Sequence, residues 1–214
     1  MKVFIDLFSG LGGASHAFDE SSEWMTLKID NNPELVEYNR GLHILDISDT
    51  EPTIRMIENM LAEVNDRWVL EELVIWASPP CQQFSYANAN RNRTQTPNDF
   101  DLSLFDAALE IIEHFQPDAW ILENVLGAVP IVEEAYSMMP TQQIGSIILW
   151  GNFPLISIRT RDDWEHRKLD AKGSRTLRPN WRAKIPQAVS FGLLETLTHQ
   201  RTLKGWLPIE GIEE

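Results

Sequence analysis

The sequence of 214 residues predicts an α/β fold built on a doubly wound, Rossmann-like sheet, and three observations carry that expectation. Short apolar runs at 2–7, 24–29, 73–77 and 119–122 are too brief for buried helices and rich in β-forming side chains, as buried parallel strands are. Between them lie longer segments whose apolar residues recur at helical spacing, so strands and helices alternate. A glycine-rich turn follows the first run directly.

In chain order, Lys2 to Leu7 is expected as a strand, followed by Phe8-Ser9-Gly10-Leu11-Gly12-Gly13-Ala14-Ser15 and a helix through Phe18. Glycines allow a sharp turn and close approach of a ligand, and the helix N-terminus behind them presents free N–H groups. The spacing is G-x-G-G, short of the full dinucleotide fingerprint. Trp24 to Ile29 is a second strand ending at Asp30, where a Rossmann-like sheet grips ribose hydroxyls; a helix cap is the competing reading of this acid. A helix is expected over Glu34 to Asn39, and His43-Ile44-Leu45 is a third strand with Asp46 at its tip. Pro52, Ile54, Ile57, Leu61 and Val64 mark an amphipathic helix.

Leu73 to Ala77 is the fourth strand, and Ser78-Pro79-Pro80 stops it just before Cys81, the only cysteine of the chain. Two prolines make a stiff exit that fixes the direction of the next side chain, beyond the carboxyl end of a strand where ligands collect. A lone cysteine is otherwise most often a small buried hydrophobe. Asn88 to Phe100 is polar, without apolar period, and reads as a loop beside the thiol. Leu104, Phe105, Ala108, Leu109, Ile112 and Phe115 form one helical face that Pro117 terminates. Ala119 to Leu122 is the fifth strand, ending in Glu123-Asn124-Val125, which places Glu123 beside Cys81 if the two strands are neighbours. A further strand, Ile147 to Trp150, precedes a turn, and Ala188 to Leu197 is expected as a helix returning to the sheet.

Composition is that of a globular chain, 43% hydrophobic and 23% charged, with no apolar run of membrane-spanning length and no secretory apolar segment after Met1. A single cysteine excludes an internal disulfide and a cysteine-rich zinc site. The five histidines lack metal-ligand spacing. Net charge is −14, unfavourable for a nucleic-acid partner, yet residues 158 to 184 hold nine Lys or Arg against four acids. That segment is either a solvated charged loop or a phosphate-facing patch.

Three stretches stand in one order: Asp6-Leu7-Phe8-Ser9-Gly10-Leu11-Gly12-Gly13, Ser78-Pro79-Pro80-Cys81-Gln82 and Glu123-Asn124-Val125. Together they resemble the cytosine-C5 DNA methyltransferases, particularly short bacteriophage forms, over roughly the first 150 residues. The resemblance implies a methyltransferase sheet that binds S-adenosyl-L-methionine through Phe8, Gly10, Leu11, Gly12, Gly13, Asp30, Asp46 and Ile47. It implies Cys81 as nucleophile, Glu123 holding ring N3 of the target cytosine, and Pro80, Asn124, Arg159 and Arg161 against the substrate. The implied partner is duplex DNA with the base flipped out, in the cytoplasm of a bacterial host and without a membrane. The chemistry needs these types: cytosine C5 is a poor nucleophile until a thiolate adds to C6, and a carboxyl at N3 supports the charge that develops.

The sequence also departs from the family. Lys28-Ile29-Asp30 stands where a glutamate is usual, Gln142-Gln143-Ile144-Gly145-Ser146 lacks both arginines of Gln-x-Arg-x-Arg, and Ala183-Lys184-Ile185-Pro186 replaces Gly-Asn-x-Val-Pro. Arg159 or Arg161 is the expected substitute for the missing arginines. The target-recognition region is reduced, since only 34 positions separate Gly151 from Ile185. Sequence choice is then relaxed, made by the basic segment, or supplied by a specificity partner protein. The expected organisation is a catalytic and cofactor-binding core over 1–151, a basic insert over 152–184 and a C-terminal helix over 185–214. Competing readings are the same chemistry on RNA or a free nucleotide, a catalytically impaired DNA- or partner-binding protein, and an amino-group methyltransferase. The last is opposed by a cysteine where those enzymes carry an aromatic residue.

Overall fold

The computed structural model describes residues 1–86, 99–158 and 177–204. Seven strands form one sheet in the order β3-β2-β1-β4-β5-β7-β6. They are β1 (Lys2–Leu7), β2 (Trp24–Asp30), β3 (Leu42–Ile44), β4 (Glu72–Ala77), β5 (Ala119–Val125), β6 (Gln142–Ile144) and β7 (Ile147–Asn152). The first five are parallel; β7 runs antiparallel to β5 and β6 antiparallel to β7. The doubly wound, Rossmann-like expectation therefore holds. Strand order reverses between β1 and β4, and in such sheets the crevice beyond the strand ends at that reversal is where ligands bind.

Alternation along the central strands explains the two layers. Val3, Ile5 and Leu7 of β1 join one core with Ile57 and Val64 of α2 (Thr50–Arg67) and Phe105, Ala108 and Ile112 of α3 (Ser103–Phe115). Phe4 faces the other side, with Phe18 of α1 (His16–Asp19) stacked on it at 3.9 Å. A sheet covered on both faces needs apolar residues at its central positions, which is why Val3-Phe4-Ile5 of β1 and Leu73 to Ala77 of β4 read as apolar runs.

Three further helices are α4 (Val129–Tyr136), α5 (Arg178–Ala183) and α6 (Gln187–Lys204). Val189, Leu193 and Leu197 of α6 are buried in the second core, and the Ser190 hydroxyl donates to the Ala14 carbonyl while accepting from Ala17 N–H. The returning helix thus clamps the segment after the glycine turn. Leu11, Leu35 and Leu177 form a third, small cluster that seats α5 over the same turn.

One expected helix is absent. Residues 34–39 form only a 3-10 turn at Pro33–Leu35, and the Asn39 side-chain amide donates to Ser9 Oγ and the Gly10 carbonyl. The polar loop over 88–98 and the centre of the basic insert, with Arg159 and Arg161, lie outside the described residues.

Candidate active site

The ends of the five parallel strands converge on one crevice of about 370 Å³. At the end of β1 the chain turns through Phe8 to Gly13, and the turn is held from two sides. Gly12 has φ +65°, and a Cβ there would stand 2.8 Å from Asn39 Oδ1. At Gly13 a Cβ would meet the Ile185 carbonyl at 2.4 Å and its nitrogen at 2.6 Å. Only glycine lets the segment between α5 and α6 lie directly on the turn.

Asp30 closes β2. Its carboxylate accepts from Gly10 N–H at 2.9 Å and Asn32 N–H at 2.9 Å, which ties the end of β2 to the glycine turn. The competing reading of Asp30 as a helix cap does not hold, since the following turn is capped by Asn32, and Asp30 lines the crevice. Asp46 and Ile47, beyond β3, line it too. The Asp46 carboxyl is held below the usual range by hydrogen bonds from the Ser48 hydroxyl and N–H.

Cys81 stands at the end of the β4 segment. Ser78 N–H donates to the Leu7 carbonyl, the Trp76 indole donates to Ser78 Oγ at 2.7 Å, and the two prolines complete the exit. Beyond the thiol, the N–H groups of Phe84 and Ser85 donate to the Cys81 carbonyl, making a tight turn. Phe84 is fully buried between Phe100 and Phe105, and Gln83 exchanges two hydrogen bonds with the Asp101 backbone. The half-buried thiol is thereby held by groups on both sides of it in sequence.

Strand pairing brings in the carboxyl. Ala77 of β4 is paired with Leu122 of β5, so Glu123 emerges next to the Ser78-Pro79-Pro80-Cys81 exit. Both Cys81 and Glu123 line the crevice. Burial pushes the thiol pKa up, and the negative charge of Glu123 pushes it further the same way. Both effects favour the protonated thiol at neutral pH.

Of the sequence-predicted residues, Phe8, Gly10, Leu11, Gly13, Asp30, Asp46, Ile47, Pro80, Cys81 and Glu123 all line this crevice. Two do not. Gly12 faces Asn39 instead, where its missing side chain makes room for the amide. Asn124 is 0% exposed; its amide nitrogen donates to the Pro79 carbonyl at 2.9 Å and its oxygen accepts from Val125 N–H. Asn124 therefore has no free face for substrate and instead pins the β5 end to the proline exit.

Residues not foreseen at the site include Asp6, Asn31, Leu104, Asn180 and Lys184. Asp6 is 1% exposed, accepts from Ser9 Oγ at 2.9 Å, and burial pushes its pKa up to about 6 against the pull of that hydroxyl and of Lys28. The acid next to the glycine turn was visible in the sequence; its place at the floor of the crevice required the sheet. Where the family carries arginines, Ile144 is buried in the second core and Ser146 lines the crevice. Gln142 clasps both backbone groups of Ile156 at 2.8 Å. No group of His, Cys, Asp and Glu suited to a metal ion occurs among the described residues. Nor is any helix among them long and apolar enough to cross a membrane.

Comparison with known proteins bears on this geometry. A family profile described as C-5 cytosine-specific DNA methylase matches residues 2–135. The type II methyltransferase M1.HphI of Haemophilus parahaemolyticus is 31% identical over 125 residues, 58% of this chain and 32% of its own length. M.DdeI of Desulfomicrobium norvegicum is 28% identical over 134 residues, 58% of this chain and 28% of its length. M.HgiGI of Herpetosiphon aurantiacus is 29% identical over 129 residues, 56% of this chain and 88% of its length. The chain thus spans about a third of the length of the first two relatives. A solved methyltransferase structure from Entamoeba histolytica overlays with a TM-score of 0.41 at 15% identity, covering 75% of this chain and 55% of that one.

Proposed function

Since the chain belongs to the C-5 cytosine-specific DNA methylases, we propose that it transfers a methyl group from S-adenosyl-L-methionine to C5 of cytosine in DNA. The observation that carries this reading is the convergence of Cys81 and Glu123, from neighbouring strands, on the crevice that the glycine turn also lines.

The crevice suits the donor in charge and shape. Asp6, Asp30, Asp46 and Glu123 give it an acidic lining, favourable to a cationic sulfonium, and its volume is in the range of small-molecule sites. Phe8, Gly10, Leu11 and Gly13 would hold it along the turn, Asp30 its ribose hydroxyls, and Asp46 with Ile47 its adenine. When bound, it supplies an electrophilic methyl group.

The chain's own residues do the remainder. Cys81 Sγ adds to C6 of a cytosine flipped from the duplex, and the C5–C6 double bond yields its electrons toward C5. Glu123 pairs with ring N3, holding a proton there as charge develops. Pro80 lines the base pocket and Asn124 fixes the distance between the two chemical groups. After methylation, a water molecule acting as base takes the C5 proton, the C–H electrons re-form the C5–C6 double bond, and the C6–S bond breaks to free Cys81 as the thiolate. A neutral resting thiol spares the enzyme side reactions, and its proton passes to solvent water as Sγ bonds to C6.

DNA contacts fall to the basic insert over 152–184, with Arg159 and Arg161 against the substrate and a partner protein as a further source of sequence choice. The test is incubation with labelled donor and duplex DNA, single-stranded DNA, tRNA or dCMP, followed by base-resolution mapping. The expected outcome is 5-methylcytosine in duplex DNA. Methylation of tRNA or dCMP alone would reassign the acceptor, and none anywhere would leave a binding protein.

A further inference from the structure

The crevice is lined by four carboxylates, and among the described lining residues it has one Lys or Arg, namely Lys184. This residue lies just past α5, and its position is fixed by the fold. The backbone of Ile185 lies against Gly13, and Lys184 Cγ would stand 3.0 Å from a Cβ on that glycine. The Lys184 ammonium lies 5.9 Å from the centroid of the Trp181 ring, on the same short helix. An aromatic face holds a cation without neutralising it. Tyr38 packs edge-on against that ring, and Leu177 anchors the helix through the small cluster with Leu11 and Leu35. A positive charge is thus carried on a braced element to the edge of the glycine turn.

The donor proposed above carries charges of both signs. Its sulfonium and ammonium suit the acidic lining. Its carboxylate, brought into the same crevice, would meet repulsion from Asp6, Asp30, Asp46 and Glu123 unless a cation stood beside it. We propose that Lys184 binds the carboxylate of the donor's amino-acid end, and so makes the site select a nucleoside that bears an amino acid over one that does not. This inference rests on the donor reading of the site. Lys184 is a binding and specificity residue in it, with no part in the bond changes at cytosine.

The test uses the full chain and two nucleosides that differ at the relevant end. S-adenosylhomocysteine carries the amino acid; 5′-methylthioadenosine lacks it. Isothermal titration should show wild type binding the first more tightly. Lys184→Met should weaken S-adenosylhomocysteine about tenfold or more, the loss of one charge-assisted contact, and leave 5′-methylthioadenosine unchanged. Lys184→Arg should restore most of the preference. Equal weakening of both ligands, no change in either, or an effect only on the KM for DNA would overturn the assignment of Lys184. If wild type binds neither nucleoside, the donor reading fails and takes this inference with it. If it binds both and Lys184→Met binds both as well as wild type does, only the role of Lys184 falls.

Discussion

At the scale of single residues, Cys81 and Glu123 make opposite demands that can be separated by measurement. Burial and the Glu123 charge both keep the thiol protonated. Removing the charge with Glu123→Gln leaves burial acting alone, so thiol pKa should fall and Cys81 should react faster with iodoacetamide near pH 8. Methylation should nevertheless drop by about 10²–10⁴-fold, since the group at ring N3 is lost. Because the chain has a single cysteine, alkylation followed by mass spectrometry reports this site alone. An unchanged alkylation rate in the variant would show that the two groups are not electrostatically coupled. Cys81→Ala should abolish methylation by a factor of at least about 10³. Duplex DNA containing 5-fluorocytosine should form a stable adduct with wild type and none with this variant. Fluorine cannot leave as a proton does, so the thiol has no route off. Methylation of ordinary DNA without a trapped adduct would contradict nucleophilic addition.

At the scale of elements, the glycine turn and the segment after α5 act as one unit, because Gly13 lies against the Ile185 backbone. Gly13→Ala puts a methyl where backbone already is, with no flexible side-chain end to yield. The segment must move away, at a cost of about 1–3 kcal/mol in urea unfolding. The same shift carries Lys184 from the crevice, so binding of S-adenosylhomocysteine should weaken along with stability. An unchanged urea midpoint would show that the close approach is relaxed in solution. This coupling explains what the sequence could and could not reveal. Strand ends, the thiol, the carboxyl and the turn were legible because each is a local pattern of apolar run and stop. Gly12 and Asn124 sit within those patterns yet face away from the crevice, since sequence fixes an element but not which side of it meets a neighbour. Asn39 is bonded to a turn 29 and 30 residues away, a contact that no local spacing contains. The strand β6 and the short helices α4 and α5 were missed for a related reason. β6 has three residues and α5 buries none, so neither carries a period to read.

At the scale of the whole molecule, Asp6 ties function to stability. It lies on the central strand between the two cores, 1% exposed, with its carboxyl pushed up to about 6 from an ordinary 3.8. Ser9 Oγ bonds it, and Lys28, itself paired with Asp19 at 2.8 Å, opposes the shift without cancelling it. Between these two pKa values the folded protein holds a proton that the unfolded chain releases. Folding is therefore favoured by protonation at this site: the full contribution is present below about pH 3.8 and is lost as pH rises through about 6. The difference corresponds to about 3 kcal/mol across the window. Other carboxyls act in the reverse sense, as Asp46 and Asp101 do with depressed pKa values, so the wild-type profile alone would not isolate the effect. The comparison with Asp6→Asn does. Asparagine keeps an oxygen for Ser9 and carries no charge, so the stability of the variant relative to wild type should rise by about 2 kcal/mol between pH 4 and pH 7. Urea unfolding at half-unit pH steps reads this directly. Parallel curves would mean that the carboxylate is as well solvated in the fold as outside it, and that the centre of the sheet tolerates a charge that burial should penalise. A proton taken up at the crevice floor also means that mild acid weakens the negative lining that suits a cationic donor. Affinity for S-adenosyl-L-methionine, whose sulfur is cationic, should accordingly fall as pH drops below about 6 in wild type, and this component should vanish in Asp6→Asn.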